Sequence, residues 1–309
     1  MLDYSIDMVR LSCDVKRKDF EEFFRVLQND SNINYREMTS ITAYRHNFYI
    51  KELCDLGDPI YKTFLHYGIL ETLRVDKMQE CSFWVGVDHN AKFEKSKYID
   101  MVIEYNPNKC KGSFYLDRIL RSFFVNNNTA TVKKIDFAID FPLDITDVHL
   151  VRDYKSNYRV FDNGGSDRTY YMRKRGSNGA FKLYNKQLES GLDHVKTRYE
   201  VTLHINSSLQ YMDSYKVDRS LFPQLRITSA VQMDFGMKTV EVTGTDKILL
   251  LACMEHPEYL KELGRKKREK IEELLKSLDT VVAFDNCDQI DYTVRAYFNQ
   301  IMSLSIANN

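Results

Sequence analysis

Residues 158–189 read YRVFDNGGSDRTYYMRKRGSNGAFKLYNKQLE. Three short runs, Tyr158–Asp162, Thr169–Arg173 and Phe181–Tyr184, hold aromatic and β-branched residues, and the turn signals NGG and GSNG separate them. Glycine and asparagine tolerate the backbone conformations that tight reversals need, so the spacing predicts antiparallel strands. Within the last run Lys182 and Tyr184 lie two apart and share a strand face, while Lys186 falls just past the strand end. The stretch Arg168–Lys186 carries six basic residues (Arg168, Arg173, Lys174, Arg175, Lys182 and Lys186), three tyrosines and no acid. Such a patch suits the phosphates and bases of single-stranded DNA. It equally suits a solvated hairpin, and composition alone leaves both readings open.

Outward from this hairpin, further strands are predicted at Tyr4–Val15, Ile41–Ile50, Cys81–Val87, Tyr98–Tyr105, residues 132–141 (VKKIDFAIDF) and Thr197–His204. Lys16–Leu27 spaces Phe20, Phe23, Phe24 and Leu27 as a helix does, and Ser113–Val125 reads as an amphipathic helix with Phe114, Leu116, Ile119, Leu120 and Phe123 on one side. Beyond about residue 243 the pattern turns helical, with breaks near Pro257 and Gly264 and a last helix over Gln289–Leu304. The expected fold is α+β, a central antiparallel sheet flanked by helices with a helical C-terminal portion. The expected division is 1–243 and 244–309.

Composition narrows the function classes. The 44 basic and 44 acidic residues cancel, so global charge gives no support to nucleic-acid binding and only the local patch does. Six cysteines are scattered without a C-x-x-C pair, and no H-x-H or H-E-x-x-H occurs among the seven histidines. Zinc-ribbon and thioredoxin-type sites are thereby disfavoured, and free thiols in a reducing cytoplasm are expected. No apolar run approaches the ~20 residues of a membrane span. The N-terminal MLDYSIDMVRLSCD lacks the apolar core of a signal peptide.

Four acids stand on strands: Glu104 in MVIEYN, Asp136 and Asp140 in KKIDFAIDF, and Glu200 in TRYEVTL. Asp136, Ala138 and Asp140 share a face, and the small alanine leaves space above it. Two readings stand. The acids converge on a hard cation, Mg²⁺ or Mn²⁺, or they line a wet sheet face and pair with Lys133, Lys134 and Arg198.

Read in order, YIDMVIEYNPNK, VKKIDFAIDFPLDI, the 158–189 stretch and KTRYEVTL resemble the Rep_trans rolling-circle replication initiators of Gram-positive plasmids, which are themselves similar to relaxases of integrative conjugative elements. The resemblance spans roughly two thirds of the chain, and the R/K-x-Y-N-K-x-x-E element is its specific part. Lys182 departs from the family arginine and so gives up its bidentate fork. The chain also opens directly on its first strand, without the helix-turn-helix extension of relaxase relatives.

The resemblance implies that Tyr184 is the nucleophile of a DNA nicking-and-closing reaction. It leaves a 5′-phosphotyrosyl link and a 3′-OH primer, with Lys182 and Lys186 stabilising phenolate and phosphate. It implies a divalent metal on Asp136, Glu104, Glu200 and Asp140. The basic, aromatic patch places DNA on Arg168, Tyr170, Arg173, Lys174 and Arg175, and Lys109 in the NPNK turn is expected at a backbone phosphate. The basic run Arg265, Lys266, Lys267 and Arg268 is expected either to touch duplex origin DNA or to pair with acids on a solvated helix. Implied partners are single-stranded or hairpin origin DNA, duplex origin DNA, a host helicase and a second copy of the chain. A conjugative relaxase and a non-catalytic DNA-binding regulator are the alternatives. Trp84 is expected in the core.

Overall fold

In the computed structural model the described residues are 2–39, 42–55, 60–66, 69–75, 78–89, 96–150, 158–227, 242–277, 281–282, 284 and 287–304. The fold is α+β, built on a large antiparallel sheet, as expected. Strands β1 (Asp3–Lys16), β2 (Ile33–Glu37), β3 (Tyr44–Asp55), β4 (Ile60–His66) and β5 (Ile69–Val75) come first. Next are β6 (Met78–His89), β7 (Tyr98–Tyr105), β8 (Thr131–Phe141), β9 (Val148–Leu150) and β10 (Tyr158–Asp162). The last are β11 (Arg168–Met172), β12 (Phe181–Asn185), β13 (Thr197–Ser208), β14 (Leu225–Ile227) and β15 (Val281–Val282). The α-helices are α1 (Arg17–Leu27), α2 (Phe114–Ile119), α3 (Lys186–Ser190), α4 (Gly244–Glu255), α5 (Arg265–Ser277) and α6 (Asp288–Ser303). None of the described helices is long and apolar enough to cross a membrane.

The chain forms two compact units, and their division does not fall at 243/244. The hairpin unit comprises Met1–Ser5, Phe137–His204 and Lys216–Asp291; the N-terminal unit comprises Ile6–Asp136, Ile205–Tyr215 and Tyr292–Asn309. The helical segment after residue 243 is therefore shared, with α4 and α5 in the hairpin unit and most of α6 in the other. Sequence order separates these helices from the sheet, but compactness follows which apolar faces meet.

In the N-terminal unit the strand order is β8–β1–β7–β6–β3–β2. Phe20, Phe23 and Leu27 of α1 are buried, Phe20 and Phe24 meet Phe48 of β3, and Phe23 meets Phe123 edge to face. The helix expected over Ser113–Val125 begins with Ser113 as its cap, whose hydroxyl accepts from Leu116 N at 3.1 Å. It then changes to a π-helix at Leu120–Phe124, and Phe114 is 63% exposed rather than packed. Trp84 is half-buried, with its indole N–H donating to Asn47 at 3.3 Å. The strand expected from Ile41 starts at Tyr44, and Ile41 lies outside the described residues. Cys13, Cys81, Cys110, Cys253 and Cys287 are free thiols, and the side chain of Cys54 lies outside the described residues.

In the hairpin unit the order is β10–β11–β12–β13–β8. One face is core: Tyr170, Met172, Phe181, Leu183, Tyr199 and Val201 are buried. Tyr199 anchors it, meeting Phe181 at 4.7 Å, Phe284 at 4.9 Å and Phe222 at 6.3 Å between ring centroids. Its hydroxyl donates to Pro223 O at 2.8 Å, which satisfies the one polar atom the ring brings inside. Truncating such a ring to alanine costs about 3–5 kcal/mol. The other face carries Lys182, Tyr184 and Glu200.

Candidate functional site

Strand register decides which side chains share that second face. Lys182 stands opposite Tyr171 on β11 and Glu200 on β13; Tyr184 stands opposite Thr169 and Arg198. Directly paired residues of antiparallel strands project to the same side, so these six form two adjacent rows. The alternation read from FKLY thus holds, with Leu183 and Phe181 turned to the core.

Tyr184 is only 4% exposed. The Lys182 ammonium lies over its ring, 3.6 Å from the centroid, and the Lys186 ammonium lies 5.8 Å away. The hydroxyl donates to Glu200 Oε2 at 3.5 Å. The phenol thus lies against two ammonium groups, with its hydroxyl donating to a carboxylate.

The strand ends where α3 begins, and the sequence explains why. Asn185 caps the helix, its side-chain oxygen accepting from Leu188 N at 3.0 Å. Its amide also donates to Ser166 O at 3.0 Å, and the Ser166 hydroxyl donates to Asp144 at 2.7 Å, which ties the 163–167 turn to the strand end. Lys186 forms an i,i+3 ion pair with Glu189. Burial pushes the Glu189 carboxyl up, but Lys186, Lys182 and Arg198 outweigh that push and hold it below its ordinary value.

The four acids do not form one group. Asp140 is buried and takes both arms of Arg198, Nε at 2.7 Å and Nη2 at 2.9 Å, with Lys196 Nζ at 3.4 Å. Glu104 accepts from Arg10 at 2.6 Å, and Asp136 lies 3.7 Å from Lys134. Glu104 and Asp136 belong to the N-terminal unit, Asp140 and Glu200 to the hairpin unit. Among the described residues no three His, Cys, Asp or Glu side chains come together to hold a metal ion, so the donor set as arranged does not fit Mg²⁺ or Mn²⁺. The reading that paired the strand acids with Arg198 on a wet face describes Asp140, except that the pair is buried.

The basic residues divide the same way. Lys174 and Arg175 are exposed in the hairpin turn, and Lys109 is exposed after β7. Arg168 pairs with Asp162 at 3.0 Å. Arg173 does not face a ligand: its Nη1 donates to Gly179 O at 3.0 Å and Leu221 O at 3.2 Å. That guanidinium occupies the place of a Cβ at residue 179, where φ is +74°, so only glycine fits. Tyr170 is 5% exposed on the core face, so it packs and offers no ring to a base.

On α5, Arg268 donates to the carbonyls of Leu260, Lys261 and Leu263 and so caps the preceding 3₁₀ turn, Pro257–Lys261. Arg265 pairs with Glu269 at 2.8 Å, and Lys267 lies 3.7 Å from Asp246. Lys266 is exposed. The pairing reading of this helix describes most of the run.

No family model matches the chain, and no curated protein matches it. Among solved structures it is similar to a rolling circle replication initiator protein from Geobacillus stearothermophilus, at 13% identity over 82% of this chain and 97% of that one, with a TM-score of 0.40. A likeness of that size passes no residue role to this chain.

Proposed function

We propose that the protein is a DNA nicking-and-closing enzyme that starts rolling-circle replication, with Tyr184 as its nucleophile. The observation that carries the reading is the setting of the Tyr184 phenol, with Lys182 at 3.6 Å from its ring and Glu200 at 3.5 Å from its hydroxyl. In the proposed reaction Glu200 takes the phenol proton and the phenolate oxygen attacks the scissile phosphorus. The P–O3′ bond breaks, the 3′ oxygen takes up a proton, and the strand's 5′ phosphate stays on Tyr184. One ester replaces another, so the 3′-OH can later reclose the strand without ATP.

Because the ring is buried beneath Lys182, the ammonium must exchange the π face for a non-bridging phosphate oxygen as DNA arrives. A flexible four-carbon stem allows that exchange, and the same charge then opposes the negative charge that develops on phosphorus. Lys186, held by Glu189, is the second cation within reach. No step is routed through a metal, and Mg²⁺ or Mn²⁺ enters as a variable of the test. Origin selection is assigned to the segment after residue 243, with a second copy of the chain and a host helicase as the partners that this mode of replication requires.

The test is a random single-stranded DNA library incubated with Mg²⁺, Mn²⁺ or EDTA, followed by capture of detergent-resistant protein–DNA adducts and sequencing of the bound 5′ ends. Wild type yields adducts at one sequence, and Tyr184→Phe yields none while binding single strands as before. Adducts that survive in Tyr184→Phe would remove Tyr184 from the role. The burial of Tyr184 favours one second reading, a DNA-binding regulator without chemistry. Selective binding with no adduct under any metal condition would choose it.

A further inference from the structure

Beside Tyr184 the same sheet face continues onto two more strands. Arg159 and Phe161 of β10 stand opposite Tyr171 and Thr169 of β11, which stand opposite Lys182 and Tyr184. The two rows therefore run Arg159–Tyr171–Lys182 and Phe161–Thr169–Tyr184, all pointing one way. Phe161 is 60% exposed, and its ring meets that of Tyr171 edge to face at 5.6 Å and 85°. Arg159 is exposed and makes no ion pair among the described residues. Among the described strands β10 is the edge of the sheet.

A single exposed phenylalanine is ordinary on a protein surface. What is not ordinary is its position: an exposed ring braced by a tyrosine, beside an arginine, two strand spacings from Tyr184. Two spacings are roughly 10 Å. The charge of the surroundings selects the occupant. Lys174 and Arg175 in the adjoining turn, Lys182 and Arg159 are cationic; of the acids, Asp162 pairs with Arg168, and Glu200 stands opposite Lys182 and accepts from Tyr184. Duplex DNA keeps its bases stacked away from such rings, whereas an unpaired strand presents both a π face and a phosphate.

We propose that Phe161 and Tyr171 form a base-stacking step for single-stranded DNA next to the scissile phosphate, with Arg159 on the backbone of the stacked nucleotide. This rests on the reading of Tyr184 as the nucleophile, since only that makes the step a neighbour of the reaction. Stacking supplies affinity and holds the strand in line; the step is sequence-tolerant because every base has a π face.

The experiment uses full-length Tyr184→Phe, which binds without cutting, and two labelled probes: a 15-nucleotide oligothymidine and an abasic strand of equal length. The oligothymidine binds more tightly, and Phe161→Ala narrows that preference roughly tenfold, within the range of one base–aromatic stack. Phe161→Trp restores it. Arg159→Gln weakens both probes alike and lowers the log–log salt slope by about 0.7, one single-strand phosphate contact. Phe161 is mostly exposed, so its loss leaves the urea midpoint unchanged and separates stacking from folding.

An unchanged preference in both Phe161→Ala and Tyr171→Ala overturns the proposal. So does a preference that changes only together with oligomeric state, which would make β10 an edge for a second copy of the chain. The two readings fail separately. Adducts on Tyr184 without base-dependent binding at Phe161 sink the step alone, and base-dependent binding without adducts sinks the nucleophile alone.

Discussion

Asp140→Ala separates a structural acid from a metal ligand. Asp140 is 4% exposed and Arg198 is 8% exposed, and two hydrogen bonds of 2.7 and 2.9 Å join them. Removing the carboxylate strands a guanidinium inside the protein, and breaking a buried pair from one side costs about 3–5 kcal/mol. Lys196, whose side chain is 24% exposed, turns to water and adds little to that loss. Replacing both partners by apolar residues, Asp140→Leu with Arg198→Met, removes the stranded charge and returns most of the stability. With a urea slope of about 3 kcal/mol/M, a 4 kcal/mol loss moves the midpoint by roughly 1.3 M. Circular dichroism at neutral pH, fitted as two transitions where the two units unfold apart, reads this directly. A single-variant shift below about 0.3 M, or a double variant no better than the single, would refute the buried-pair account.

The remaining predictions concern charge on the outside of the site. The Glu189 carboxyl is held below its ordinary value, so its pairing stabilises the fold above about pH 4.3, the unfolded value, and that gain is lost as pH falls through the lower folded value. The gap in urea midpoint between wild type and Glu189→Gln therefore closes as the pH is taken from 7 to 3; a gap that widens in acid has the wrong sign. On α5, neutralising Arg265, Lys266 and Lys267 together leaves the urea midpoint in place, and origin contact by this helix would lower the duplex-DNA salt slope by roughly 0.9 per lost phosphate. Arg268→Ala instead destabilises the unit, because it uncaps three carbonyls. Equal stability effects from Lys266→Ala and Arg268→Ala would contradict that division.

Strands of the hairpin were legible to within a residue because alternation and turn chemistry are local. The run FKLY places Lys182 and Tyr184 on one face whatever packs against it, and GSNG marks a reversal wherever it occurs. The π-helix at Leu120–Phe124 was not legible, since its apolar residues keep a spacing that also suits an α-helix. Nor was the fate of the charges. Asp140 and Arg198 are 58 residues apart, and the parity that made Asp140 look like a metal ligand also aims it at a guanidinium. Arg173 and Arg268 looked like DNA contacts because arginine on a polar stretch reads as a surface cation. Both spend their donors on backbone carbonyls that only the folded chain brings near.

The Y-N-K-x-x-E element shows how a motif can be mostly architecture. Asn185 caps α3 and ties down the 163–167 turn, and Glu189 holds Lys186 against the helix start. Any short strand-to-helix junction has use for these three residues, whatever its chemistry. The tyrosine is different. Its ring fills the space under Lys182, and a phenylalanine would fill it equally well, cation–π contact included. Neither the cap nor the ion pair uses the phenol oxygen. A buried hydroxyl also carries a desolvation cost that a ring hydrogen does not. Packing and capping thus account for the position of the side chain, while its oxygen donates to Glu200, the contact through which the proposed reaction would take the phenol proton.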